Sequence, residues 1–314
     1  MNVNQNRRNF LKSAALGSFG LLAAGQVLSA CSSKATGEGE TTDSTAVAET
    51  PKVSTEPVGI QLYTVRDGMT QDLAGSLKKV AEIGYKNLEL AGYGDGKFYG
   101  KTPEEFKKMV SDLGMQVISS HTGVEVKGVD MTNAKILAEA HAKLGVKYCV
   151  QPWVVEEKRK TISSYKKMVG EFNKIGEVMK SFGIQFGYHN HDFEFATVEG
   201  KIPYYDVYMK EADPELITFE IDMYWATKAG QDLQKMFQDY PGRFQLWHLK
   251  DMDNTAEKYF APVGAGTINF KEIFTSREVA GMKYFFVEQD NTKDGKPFDA
   301  IKISYDNIVS KILM

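Results

Sequence analysis

The stretch Gly183-Ile184-Gln185-Phe186-Gly187-Tyr188-His189-Asn190-His191-Asp192-Phe193-Glu194 decides how the chain is read. Residues 184–188 follow a helix-ending Phe182-Gly183 and read as a buried strand. The run stops abruptly in His189-Asn190-His191-Asp192, which holds two of the five histidines of the chain. A buried strand whose C-terminal end carries metal-ligand side chains is how a parallel α/β fold presents a site.

The same pattern repeats on both sides. Strands are expected over 58–63, 85–90, 116–120, 147–150, 184–189, 217–221, 244–249 and 284–287. Helices are expected between and after them, over 73–83, 103–113, 132–144, 163–182, 204–211, 232–239, 269–274 and 298–312. Thr102-Pro103-Glu104-Glu105 is a helix start, with a capping hydroxyl, Pro at the first helical position and acids near the positive end of the dipole. Glycines at 84, 114, 145, 183 and 281 close helices just before strands. Eight such units over about 255 residues fit an α/β chain closed as a (β/α)8 TIM barrel. An open, doubly wound sheet is the alternative, and polar clusters at nearly every strand end favour the barrel.

The N-terminus reads differently. Asn6-Arg7-Arg8-Asn9-Phe10-Leu11-Lys12 resembles a twin-arginine export signal. The apolar segment 14–28 is interrupted by Gly17, Gly20 and Gly25. It is short for a membrane span of ~20 apolar residues and suits a signal-peptide core. Leu28-Ser29-Ala30-Cys31 resembles a lipobox, which implies cleavage before Cys31 and lipid attachment to its thiol. Residues 32–57 are rich in Ser, Thr, Gly and Glu and cannot bury a core. The expected organisation is a signal peptide over 1–30, a tether over 31–57 and the barrel over 58–314, exported to the periplasmic face of a membrane and held there only by the lipid.

Composition narrows the partners. A formal charge of −3 offers nothing for nucleic acid or for an anionic lipid surface. The two cysteines, Cys31 and Cys149, make neither a disulfide framework nor a zinc ribbon. Cys149 ends an expected strand and reads as a small buried hydrophobe.

If the barrel closes, its strand ends converge on one mouth. In order they bring Gln61, Tyr63 and Arg66; Glu89; His121; Gln151 and Trp153; His189, His191 and Glu194; Glu220, Asp222 and Trp225; His248, Lys250 and Asp251; and Glu288 with Gln289. His141 falls inside a helix and reads as structural or solvent-facing. Unpaired charges in a barrel interior cost several kcal/mol each. One divalent ion held by His189, Asp222, His248 and Glu288 would satisfy all four. Mixed imidazole and carboxylate ligands suit Mn2+, Co2+, Zn2+ or Mg2+.

From residue 58 onward the chain resembles the xylose isomerase-like TIM-barrel superfamily, in its sugar phosphate isomerase/epimerase branch. The resemblance lies in Gly59-Ile60-Gln61-Leu62-Tyr63-Thr64-Val65-Arg66-Asp67, in Tyr85-Lys86-Asn87-Leu88-Glu89-Leu90, in Trp247-His248-Leu249-Lys250-Asp251, and in the run from Pro262 to Phe270. It implies one metal held after strands five to eight, at His189, Asp222, His248 and Glu288. Two positions depart from the pattern. His189 stands where many members have Glu, and Trp225 where many have His.

The resemblance implies chemistry on a sugar or keto-sugar, with the metal polarising a carbonyl while a base removes the α-proton. Epimerases of the family use two metal-bound glutamates, and only Glu288 of that pair is present. One-base isomerisation, or elimination by a lyase or hydratase on a keto-sugar or keto-glycoside, is therefore expected. Glu288, His121, Glu89 and Lys250 are the candidate acid/base groups. Gln61, Tyr63, Trp153, His191 and Trp225 are candidates for holding the carbohydrate, with Tyr93 a further ring able to stack on it. A non-catalytic carbohydrate-binding lipoprotein is the competing class. A nuclease, which the superfamily also contains, would need more metal ligands and a basic face.

Overall fold

Strands that are apolar on both faces need cover on both sides, and a closed parallel barrel wrapped by helices supplies it. The computed structural model describes residues 54–122, 130–200 and 202–314. It closes eight strands in sequence order: β1 (Gly59–Gln61), β2 (Asn87–Leu90), β3 (Gln116–His121), β4 (Tyr148–Gln151), β5 (Gln185–His189), β6 (Ile217–Asp222), β7 (Leu246–Leu249) and β8 (Tyr284–Val287). Every neighbouring pair is parallel, and β8 returns to β1. The helices Leu73–Ile83, Pro103–Asp112, Ala134–Leu144, Ile162–Ser181, Tyr204–Glu211, Leu233–Asp239, Phe270–Phe274 and Pro297–Asn307 alternate with them. The signal peptide, tether and Cys31 lie outside the described residues. Among the described residues no helix is long and apolar enough to cross a membrane.

Local chemistry accounts for most boundaries. Thr102 accepts the Glu105 N–H, Glu105 accepts the Thr102 N–H, and Pro103 opens the helix. Gly145 and Gly281 end their helices in the left-handed region, as their positions before strands require. The first strand is shorter than expected. The Gln61 side chain accepts the Tyr63 N–H and turns Leu62–Val65 into a 3-10 turn. Short helices at Arg66–Gln71 and Met223–Lys228 were not expected, nor were the two-stranded hairpins beyond β2, β5 and β7. All are too short for hydrophobic periodicity to register.

The barrel interior is packed, not hollow. Ile118 on β3, Tyr148 and Val150 on β4, Leu246 on β7 and Phe286 on β8 form one apolar cluster. These strands stand on different sides of the barrel, so the cluster fills its axis. A Cβ on Gly59 would clash with the Phe285 carbonyl oxygen and lie 2.6 Å from Phe286 Cδ1, so glycine lets β8 and that ring approach. Strand alternation then carries the same faces upward, from Leu246 to His248 and from Thr218 through Glu220 to Asp222. The larger core lies outside, between strands and helices.

His141 is buried, not solvent-facing. Its ring packs against Tyr93 and Phe98 at centroid distances of 5.1 and 5.0 Å, and Nδ1 lies 2.7 Å from the Leu137 carbonyl. Burial pushes it down to about 4. Tyr93 is consumed by this packing and does not wall the mouth cavity.

Candidate metal centre and barrel mouth

Strand pairing sets the site. Parallel register places His189 beside Glu220 and Asp222 beside His248. Gln61 lies beside Glu89 on the first two strands. Glu288 follows β8 directly, and Lys250 follows β7. The loops are tied down by short polar bonds. The Asn190 side chain accepts the Asp222 N–H at 3.0 Å, joining the ends of β5 and β6. Glu194 accepts the His191 N–H at 2.8 Å and the Tyr188 hydroxyl at 2.5 Å. Arg66 donates to the Asp290 carbonyl at 2.8 Å, which draws the β8 loop to β1. Asp251 accepts N–H groups from Met252, Gly264, Gly266 and Ile268, so it holds the loop beyond β7 and does not face substrate.

Two ligand sets overlap here. His189, Asp222, His248 and Glu288 form one, and His121, His189, Glu220 and His248 form the other; within each, one ligand atom per residue lies within 4.8 Å of the rest. The first is the set expected from the strand ends. Asp222 divides its carboxylate, with Oδ1 capping the following helix through the Trp225 N–H at 2.9 Å and Oδ2 left for the site. His248 Nδ1 is 2.9 Å from Glu288 Oε2, and His189 Nε2 is 3.9 Å from Asp222 Oδ2. Lys250 Nζ lies 2.7 Å from Glu288, 3.0 Å from Asp222 and 3.1 Å from Asp290.

The electrostatics are those of a cation site. Burial works to lower His248, but Glu220, Glu288 and Glu89 overcome it and hold the ring well above its usual value. Burial raises Asp222 to about 6 despite Lys250. Burial raises Glu89 too, and the neighbouring Glu220 adds to it. His189 is pushed down to about 3, chiefly by burial, so it stays neutral and able to ligate. Glu89 Oε1 and Glu220 Oε1 accept no hydrogen bond although both residues are fully buried. Asp222 Oδ2 accepts none of good geometry, with the Lys250 ammonium 3.0 Å away. A neutral His189, a His248 that can give up its outward proton to an ion, and under-satisfied carboxylates form a donor set that fits a divalent ion.

Above this floor opens a cavity of about 450 Å³ walled by Tyr63, His121, Trp153, His191, Trp225, Lys250, Phe260 and Glu288, among others. Its size falls within the range of small-molecule sites. Gln61 and Glu89 are not on its wall. Gln61 is fully buried and spends its side chain on Glu89, at 2.9 Å, and on the Tyr63 N–H. Strand-end position alone cannot distinguish a residue at the rim from one beneath the floor. Glu220 and Asp290 are the groups whose part was not foreseen. Glu220 lies two residues before Asp222, and that period-2 spacing is the signal that turns it to the same face.

The comparisons agree with this geometry. The family model described as xylose isomerase-like TIM barrel matches residues 77–300. Two solved structures titled sugar phosphate isomerase/epimerase, both from Parabacteroides distasonis, are 32% and 30% identical to the chain. They cover 81% and 87% of it and 97% and 98% of themselves, each with a TM-score of 0.71. An IolI protein with a bound zinc atom is 15% identical, covers 82% of this chain and 99% of its own, and has a TM-score of 0.64, a likeness of fold. No curated protein matches significantly. With more than half of the chain matched by the family model, and its eight-stranded barrel and mouth in place, the protein belongs to the xylose isomerase-like TIM barrel family.

Proposed function

We propose that the protein is a metal-dependent enzyme of the sugar isomerase/epimerase type, removing a proton α to a carbonyl of a sugar or keto-sugar. The observation that carries this is the outward quartet of His189, Asp222, His248 and Glu288 at the floor of an aromatic-walled cavity. A divalent ion held by these four would polarise a carbonyl and offset the charge that develops as the proton leaves. Glu288 is the base that takes the proton, and the Lys250 ammonium, 2.7 Å from it, donates to that carboxylate and orients it. Trp225 Nε1 and His191 Nδ1 are buried without partners on side chains of the cavity wall, and sugar hydroxyls would satisfy them. Tyr63, Trp153 and Phe260 offer apolar faces to a ring.

The charges favour a substrate without phosphate. Lys250 is committed to three carboxylates. Arg66 donates to the carbonyls of Tyr63 and Asp290 and to Asn291 Oδ1. Elimination by a lyase is the second reading. It is favoured by His189, which leaves Glu288 as the one carboxylate of the expected base pair, and one base suffices to start loss of a β-substituent. The N-terminal motifs support export and lipid anchoring at Cys31.

The test is solvent exchange. Protein loaded with Mn2+ is incubated in D2O with free aldoses, ketoses and keto-glycosides, and the products are read by NMR. Deuterium at one carbon α to a carbonyl supports the reading, and loss of a β-substituent selects the lyase. Binding of sugars with neither exchange nor product would favour the carbohydrate-binding protein.

A further inference from the structure

The two histidines shared by the ligand sets are two-faced. Outward, His248 Nδ1 meets Glu288 and His189 Nε2 faces Asp222. Inward, His248 Nε2 lies 2.5 Å from Glu89 Oε2 and 3.2 Å from Glu220 Oε2, and His189 Nδ1 lies 3.1 Å from Glu220 Oε2. A neutral imidazole carries one N–H and one lone pair, and the partner of the first decides where the second points. A carboxylate only accepts, so with an ion occupying the outward carboxylates the inward ones keep the N–H inward and the lone pair outward.

We infer that the inner carboxylates are positioning residues, Glu220 fixing His189 with its proton on Nδ1 and Glu89 fixing His248 with its proton on Nε2, so that both rings present lone pairs to a divalent ion at the mouth. This rests on the metal-dependent reading above. The inner carboxylates are themselves held. His121 Nε2 lies 2.5 Å from Glu220 and 3.3 Å from Glu89, its ring is stacked 5.2 Å from that of His248, and Gln61 donates to Glu89. A second ion in the inner set would need the inward nitrogens of His189 and His248, and would take from the outer set the same two rings. The two sets therefore act as ligands and their support, not as two ion sites.

The experiment is a Co2+ titration of the full chain followed by visible absorption, for wild type, Glu220→Gln and Glu220→Leu. Glu220→Leu removes the acceptor of His189 and leaves Glu89 as that of His248, whereas the amide oxygen of Glu220→Gln still accepts. Wild type is expected to bind one Co2+. Glu220→Leu is expected to bind it 10–100-fold more weakly with an altered spectrum, and Glu220→Gln to fall between. Metal-free unfolding midpoints, read alongside, separate lost fold from lost positioning. If Glu220→Leu misfolds, the Glu220→Gln titration decides. Histidine 15N spectra of the Zn2+-loaded wild type should show the two tautomers named. Wild-type affinity and spectrum in both variants would overturn the inference and leave the metal reading standing. Two Co2+ in wild type, with only one lost on substitution, would also overturn it. No Co2+ bound by wild type would remove both.

Discussion

Lys250 Nζ lies 2.7 Å from Glu288 Oε2, and both side chains are buried. An ammonium at that depth is charged because Asp222, Asp290 and Glu288 outweigh the cost of burying it, and they hold it well above its usual value. Lys250→Met strands those carboxylates. The metal-free protein should lose about 3–5 kcal/mol of stability, and turnover should fall at least ~10²-fold. Urea unfolding and a rate assay check this. An unchanged unfolding midpoint would mean the carboxylates do not depend on Lys250.

Glu194 should make stability fall as pH rises from the acid range to about 8. Burial raises it to about 8, against donors from Tyr188 and the His191 N–H that favour the charged form. The folded state therefore binds more protons than the unfolded state between about pH 4.5 and 8. Stability contributed by this group falls as pH rises through that window. Denaturant midpoints from pH 5 to 8.5 should decline less in Glu194→Gln than in wild type. Parallel profiles would show that Glu194 ionises normally.

His141 works in the opposite direction. Its value of about 4 in the fold, against 6.5 unfolded, means the unfolded state binds more protons between those values. Stability is full above pH 6.5 and is lost as pH falls towards 4, by about 2 kcal/mol between pH 7 and 5. His141→Phe keeps a ring against Tyr93 and Phe98 and should lose that part of the acid sensitivity. Equal acid loss in both proteins would contradict the assignment.

Export rests on sequence motifs. Cys31→Ala should move the protein from the membrane fraction to the soluble fraction of the producing cell, and Arg7→Lys with Arg8→Lys should keep it from the periplasm. Cell fractionation reads both. Membrane association that survives Cys31→Ala would mean that something other than a lipid at this thiol holds the protein.

How much of this was legible in the sequence follows from what makes each signal. The barrel strands and the main helices were readable because a two-sided buried strand is a short apolar run, and because helix caps such as Thr102 and Gly145 are local chemistry. The convergence of His189, Asp222, His248 and Glu288 was readable because parallel strands bring their ends to one rim. Depth was not. Gln61 and Glu89 occupy strand ends like the others, yet their carboxamide and carboxylate bond to each other beneath the cavity. Asp290 sits in a loop, and its pairing with Lys250 depends on β7 lying beside β8. Glu220 and its three imidazole partners depend on strand register, which one sequence does not state.

The central claim is that one divalent ion sits on His189, Asp222, His248 and Glu288. The most direct measurement is elemental analysis of the purified barrel beside His248→Ala, each after reconstitution with Mn2+, Co2+ or Zn2+. The account requires about one ion per chain in wild type and its loss in the variant. No ion in wild type, or an equal content in both proteins, would contradict it.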